Sequence, residues 1–392
     1  MRVVAVGGGF YPYAHPGDKT FWLQLFQALA AGGDEIHVVN VARRARPRES
    51  AGPGISIETI PAIPVHFQEG THVGRYNEQS SDIPSTANYA SRSLTLPRLV
   101  RRARAAVRET RADVVHFMDN MGPADYLFAR AFGVPSYVTA VTYDPRGVLY
   151  DPLLRASLAP FDGVVATSDT FARRLGEIGL ERRRIHAITW GADPTAHAPT
   201  SDPARAKETL GLDPARPLVL WAGYLQQTTE KDLRLAHEAV RFAQARVPGL
   251  AAWFCFKPQH FRPSYLDLEA PGIRCGGDPT AFALARAAAD VFLSPITRPN
   301  SILAPPLTWT EMMLRGIPIL TTPCGGADES LGAGRGGDVS PPLALGERLA
   351  AIVGDAGELS RRKEDARRWG VERYSLPNLA SNYRELWSGS AT

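Results

Sequence analysis

The sequence predicts an α/β protein made of two doubly wound, parallel-sheet domains. Three observations carry this. Short Val- and Ile-rich runs alternate with helix-length intervals along almost the whole chain. The alternation lapses once, over residues 193–216, where Pro, Ala, Thr and Asp dominate and strand character disappears. The 392 residues suit two or three domains at roughly 150 residues each. Two such sheets in tandem place a cleft between their carboxyl ends. No internal repeat of solenoid period appears.

The elements follow in order. Val3-Val4-Ala5-Val6 reads as a first buried strand rather than a signal peptide. Phe21, Leu25 and Ala28 recur at helical spacing over residues 20–31, and residues 35–39 supply a second strand. Further strands are expected at 113–117, 136–141, 163–166 and 184–188. Between 97 and 113, Arg101, Arg104, Arg108 and Arg111 share one helical face opposite Leu99, Ala103 and Val107. A solvated helix face packed on its sheet accounts for this better than a membrane-surface helix. Beyond the linker come strands at 218–222, 252–256, 289–293 and 317–321, with a helix over about 232–247. The expected division is 1–195, 196–370, and a closing segment 371–392 that crosses back to the first domain.

Composition narrows the function. Apolar residues make up 44% and charged residues 21%, the balance of a globular domain rather than a disordered chain. No apolar run approaches the ~18–20 residues that span a bilayer. The three cysteines form no C-x-x-C pair, so they read as small buried hydrophobes in a cytoplasmic protein, neither disulfide framework nor zinc site. A net charge of +4 suits an anionic small molecule and is too weak to imply nucleic acid.

The first glycine loop, Gly7-Gly8-Gly9-Phe10-Tyr11-Pro12, fails the dinucleotide pattern because Pro12 holds the third glycine position. Its continuation, Gly17-Asp18-Lys19-Thr20, would let backbone approach a ligand before the helix starts. Phe10, Tyr11 and Tyr13 are candidates for stacking on a ring.

The second half is more specific. Leu220-Trp221-Ala222-Gly223-Tyr224-Leu225 precedes Glu230-Lys231-Asp232-Leu233. Thr310-Glu311-Met312-Met313-Leu314-Arg315-Gly316-Ile317-Pro318-Ile319 precedes Gly325-Gly326-Ala327-Asp328-Glu329. Together with Val164-Val165-Ala166-Thr167-Ser168 and Thr189-Trp190-Gly191-Ala192-Asp193, these stretches resemble the GT-B-fold, retaining, nucleotide-sugar-dependent glycosyltransferases often called GT4. The resemblance runs over nearly the whole chain in order. It implies a nucleoside diphosphate sugar, of UDP or GDP type, as co-substrate of the second domain, and a small-molecule acceptor on the first. It implies no cofactor and no metal, and the absence of any Asp-x-Asp fits that expectation. Nucleic acid and membrane partners are not expected, and a homodimer stays open.

Site roles follow from the chemistry. A leaving diphosphate gains negative charge, which Lys231 and the amides of its helix would neutralise beside Gly223. Glu311, an acid in an apolar segment, would accept from ribose hydroxyls. His116 and Asp119, at the end of the 113–117 strand, are candidates for base or hydroxyl contact. Asp144, Tyr11, Gly17 and Asp18 are acceptor-side candidates. Three departures from the family pattern touch the donor sugar. Tyr224 stands where an arginine is usual, with Arg262 or Arg298 as substitutes. Leu303 stands where the first glutamate of the pair belongs, with Asn300 or Ser301 shifted toward its place. Ala304-Pro305-Pro306 replaces a glycine-rich stretch, and proline offers no N–H. An unusual donor, a deoxy or amino sugar, and a place in antibiotic or other secondary-metabolite biosynthesis are the expectations drawn. A sugar-nucleotide epimerase and a catalytically retired nucleotide-sugar-binding partner remain alternatives.

Overall fold

The opening run forms β1 (Arg2–Gly8), and its Val3, Val4, Ala5 and Val6 are all buried. A strand apolar at consecutive positions must be covered on both faces, as in a parallel sheet. The computed structural model describes residues 1–8, 17–42, 45–61, 83–118, 132–140, 150–224, 230–257, 268–297 and 305–389. It pairs β1 in parallel with β2 (Glu35–Ala42) on one side and β5 (Val114–Phe117) on the other. Outward from β2 lie β4 (Ile55–Pro61) and then β3 (Arg46–Gly52), the one antiparallel neighbour of this sheet among the described residues. Outward from β5 lie β6 (Ser136–Ala140), β7 (Gly163–Ala166) and β8 (Ile185–Ala187). Helices α1 (Gly17–Ala31), α2 (Ile83–Thr110), α3 (Tyr150–Leu158) and α4 (Asp169–Glu177) belong to the same unit. In α2, Leu99, Ala103 and Val107 are buried while Arg101, Arg104 and Arg108 are exposed, the solvated-face arrangement read from the sequence.

The linker stretch carries a helix that its composition concealed. Asp202 caps α5 (Pro203–Thr209) by accepting from the Arg205 amide, and Pro203 occupies the first turn, where its missing N–H does no harm. The second sheet is parallel throughout its described residues. Its order is β11 (Ile273–Gly276), β10 (Ala251–Lys257), β9 (Leu218–Tyr224), β12 (Val291–Leu293), β13 (Ile319–Thr321) and β14 (Gly337–Val339). Helices α6 (Glu230–Gln244), α7 (Pro279–Ala288), α8 (Leu307–Leu314), α9 (Ala327–Ser330), α10 (Leu345–Gly354) and α11 (Ala356–Tyr374) complete this unit. One face buries Leu233, Val240 and Leu349 of α6 and α10; the other buries Ala285, Trp309 and Trp369 of α7, α8 and α11.

The final helix, α12 (Leu376–Trp387), packs in the first unit. Arg384 Nε donates to Asp34 Oδ2 at 2.7 Å, and Tyr137 donates its hydroxyl proton to the Leu386 carbonyl at 3.1 Å. The first unit thus takes its described residues from 1–190 and 376–389, and the second from 191–375. Among the described residues no helix is long and apolar enough to cross a membrane.

Candidate functional site

In the second sheet, β9 lies between β10 and β12, so the strand order reverses at its carboxyl end. Loops diverge at such a point and leave a crevice where ligands of open α/β sheets bind. Gly223 is the next-to-last residue of β9 and Tyr224 the last. A Cβ on Gly223 would come within 2.9 Å of the Trp221 ring, so the glycine also answers to packing. Lys231 is the second residue of α6, the helix that follows, and its side chain is exposed.

The neighbouring Asp232 is buried, and its role was not legible in the sequence. Its Oδ1 accepts from both the backbone N–H and the hydroxyl of Thr297, each at 2.7 Å, tying the start of α6 to the chain after β12. That chain is held a second time by Thr322. Its hydroxyl accepts from the Ile296 amide and donates to the Ile296 carbonyl, both at 2.7 Å. Cys324 follows, its thiol pushed up to about 11 by burial and by Asp232 and Asp328, so it stays protonated and inert. Gly326, at φ 82°, then turns the chain into α9. The start of α6 and the chain beyond β12 and β13 are thereby tied together. A run of charges and a run of threonines were the only sequence signals for this.

Glu311 lies on α8 and is about a quarter exposed. Arg286, from α7, reaches its Oε2 at 3.1 Å, a partner the sequence did not indicate. Gly17 and Asp18 are the first two residues of α1. Asn300, Ser301 and Leu303, with Arg262 and Arg298, lie outside the described residues, as do Tyr11, Asp119 and Asp144.

One expectation is corrected. As a candidate for base or hydroxyl contact His116 should be accessible, but it is 1% exposed, within the core. Its Nε2 is 2.8 Å from the Thr139 hydroxyl, and its Nδ1 accepts from the Trp387 indole at 3.2 Å. Trp22, Tyr383 and Trp387 surround it, with ring centroids 5.3–5.7 Å away. Burial drives its pKa down to about 3, so the imidazole is neutral and both nitrogens are engaged. The reason is topological: β5 is a central strand, and α1 and α12 cover the face on which His116 projects.

Two parallel sheets of this construction are the architecture of GT-B proteins, and comparison with known proteins agrees. Residues 17–191 match the family model described as a glycosyl transferase 4-like domain. Over that stretch, less than half of its length, the chain is similar to this family. Sucrose-phosphate synthase from Thermosynechococcus elongatus matches with a TM-score of 0.74 at 16% identity, covering 100% of this chain and 99% of that one. HepE of Anabaena, solved in complex with UDP, matches with a TM-score of 0.72 at 15% identity, covering 99% of this chain and 100% of that one. At these identities the likeness establishes the GT-B fold. D-inositol 3-phosphate glycosyltransferase of Nocardia farcinica is 38% identical over 97 residues, a match spanning 24% of this chain and 20% of that relative. The carboxyl edge of the second sheet, with Gly223 and Lys231, is the candidate functional site of this chain.

Proposed function

We propose that this chain is a glycosyltransferase that moves a sugar from a nucleoside diphosphate sugar of UDP or GDP type to a small-molecule acceptor, without a metal. The observation that carries this reading is the position of Gly223. It is the next-to-last residue of the strand at the switch point of the second sheet, and the helix bearing Lys231 is the next described element. Breaking the glycosidic bond leaves negative charge on the departing diphosphate. The Lys231 ammonium and the first amides of α6 would lower the barrier by holding that charge. Asp232 serves them indirectly, since its two bonds to Thr297 fix the geometry that Lys231 inherits. Glu311 would accept from ribose hydroxyls, with Arg286 holding its carboxylate in place.

Retention at the anomeric carbon is part of the proposal and rests on the resemblance to GT4 enzymes. The departures at Leu303, Pro305 and Pro306 favour a donor sugar with fewer hydroxyl contacts, a deoxy or amino sugar, and hence a place in secondary metabolism. On the first unit, acceptor contact is assigned to the Gly17–Asp18 helix start with Tyr11, Asp119 and Asp144; His116 has no part in it. The three free cysteines suit work in a reducing cytoplasm.

A thermal-shift screen of UDP, GDP and TDP on the full chain tests the reading, because a ligand of the folded state raises apparent stability by mass action. At least one diphosphate should stabilise the wild type, and Lys231→Ala should bind it about tenfold more weakly. Equal affinity in the variant removes Lys231 from the site. Binding of a nucleotide sugar without turnover on any acceptor would instead favour the retired partner.

A further inference from the structure

At the amino edge of the second sheet, opposite the edge that carries Lys231, basic side chains crowd a second cavity. Asp290 stands at the entry to β12 and organises the region. Its Oδ2 accepts from Lys207 Nζ and from the Leu218 amide, both at 2.8 Å, and Lys363 pairs with its other oxygen. Beside it opens a pocket of about 460 Å³ whose wall includes Arg286, Arg315, Lys363, Arg367 and Arg368, with Glu364 the one acid among the described residues. That volume lies within the range of small-molecule sites.

The charges in this wall are unequally answered. Arg286 has Glu311, Arg368 has Asp365, and Lys363 must share Asp290 with Lys207. Arg315 and Arg367 have no carboxylate within ion-pairing distance among the described residues. Arg315 donates to the carbonyls of Ala196 at 3.3 Å and Ala198 at 3.5 Å, and lies 3.4 Å from His197 Nδ1. Arg367 donates to the carbonyls of Pro194 and His197, each at 3.3 Å, and to that of Leu314. Carbonyl dipoles satisfy N–H groups but leave the formal charge in place. In addition, the Nε atoms of Arg286 and Arg315 are buried with no acceptor among the described residues. Nearby groups register the resulting positive potential. Burial and the neighbouring Arg286 outweigh Glu311 and draw Arg315 below its ordinary value, and burial with Arg315 and Arg286 outweighs Asp193 and holds His197 down to about 4.

We propose that this pocket is an anion site for a small phosphate-bearing metabolite, separate from the nucleotide edge. Arginine favours such a ligand because its planar fork matches phosphate oxygens in pairs. A cavity of this size exceeds a lone phosphate ion, so the ligand is a phosphate monoester with an organic body. Its oxygens meet the guanidinium groups of Arg315, Arg367 and Arg368 at the wall and supply the charge that the carbonyls do not.

The test is isothermal titration of the full chain with inorganic phosphate and with a hexose 6-phosphate, each repeated in the presence of excess UDP. Both probes should bind saturably, the ester more tightly, with or without UDP. Arg315→Gln should weaken the ester about tenfold, as expected for a lost charged hydrogen bond. Lys231→Ala should leave ester binding unchanged. Should Arg315→Gln fail to fold, Arg368→Gln decides: that side chain is 68% exposed, contributes little to the fold, and should still weaken the ester at least about twofold. Absence of saturable binding to the wild type overturns the proposal. Wild-type affinity in the arginine variants does so as well, and so does binding lost in Lys231→Ala, which would place the probe at the nucleotide edge.

Discussion

His116 offers a quantitative check on the reassignment of that residue from catalysis to core. The folded protein holds its imidazole neutral, with a pKa of about 3, whereas an unfolded chain protonates it at the ordinary 6.5. The unfolded state therefore binds the extra proton, and stability falls as the pH falls. The contribution is fully present above pH 6.5 and is lost progressively down to about 3. Between about pH 7.5 and about pH 5 the loss from this one group is about 2 kcal/mol. For a unit of this size that corresponds to a drop of roughly 4–8 °C in unfolding temperature. His197, also held low, adds to the slope, so the comparison must be made against a variant. His116→Gln keeps an acceptor for Trp387 and a donor for Thr139 but cannot titrate. Thermal and urea unfolding of both proteins at the two pH values should show the variant's dependence reduced by that amount. Identical pH dependence in the two, or an NMR titration of His116 near 6.5, would refute the buried assignment and return the residue to the list of bases.

Three further outcomes are expected. Asp232→Ala strands both donors of Thr297 and should cost about 3 kcal/mol in urea unfolding, with a parallel loss of nucleotide affinity. Asp290→Ala leaves the buried Lys207 ammonium without its partner and should cost about 3–5 kcal/mol in the same assay, well beyond an exposed ion-pair deletion such as Glu372→Ala. Gly337 has φ 152°, and a Cβ there would fall 2.0 Å from the Ile319 carbonyl oxygen. Gly337→Ala should therefore disrupt the pairing of β13 with β14 and lower stability by at least about 3 kcal/mol, read by circular dichroism on heating. The matched change Gly334→Ala meets no atom within 4 Å and carries only the backbone strain of its positive φ, so it should cost much less.

Legibility in the sequence tracked burial. The central strands β1, β5, β9 and β12 announce themselves because both of their faces are covered and nearly every buried position is apolar. The edges do not. β3 reads Arg-Pro-Arg-Glu-Ser-Ala-Gly and is almost entirely exposed, and β14 is three residues long with a glycine at its head. Such strands are specified by the neighbour they pair with, not by their own side chains. α5 went unread for the opposite reason: its signal is a cap and a proline at the start of seven residues, too short for periodicity to register.

Amino-acid order alone determined the two-sheet α/β plan, the glycine near the end of β9 and the lysine in the first turn of the next helix. These are local matters, in which strand, loop and helix are adjacent in the chain and a residue's neighbours decide its conformation. Only the tertiary structure decided that His116 belongs to the core, that Asp232 clasps Thr297 across 65 positions, and that Arg286 answers Glu311. Each of these depends on which strand lies beside which and on which helix covers which face. Ionisable side chains take their chemistry from that environment: the same imidazole is a base in water and an inert hydrogen-bonding ring among tryptophans.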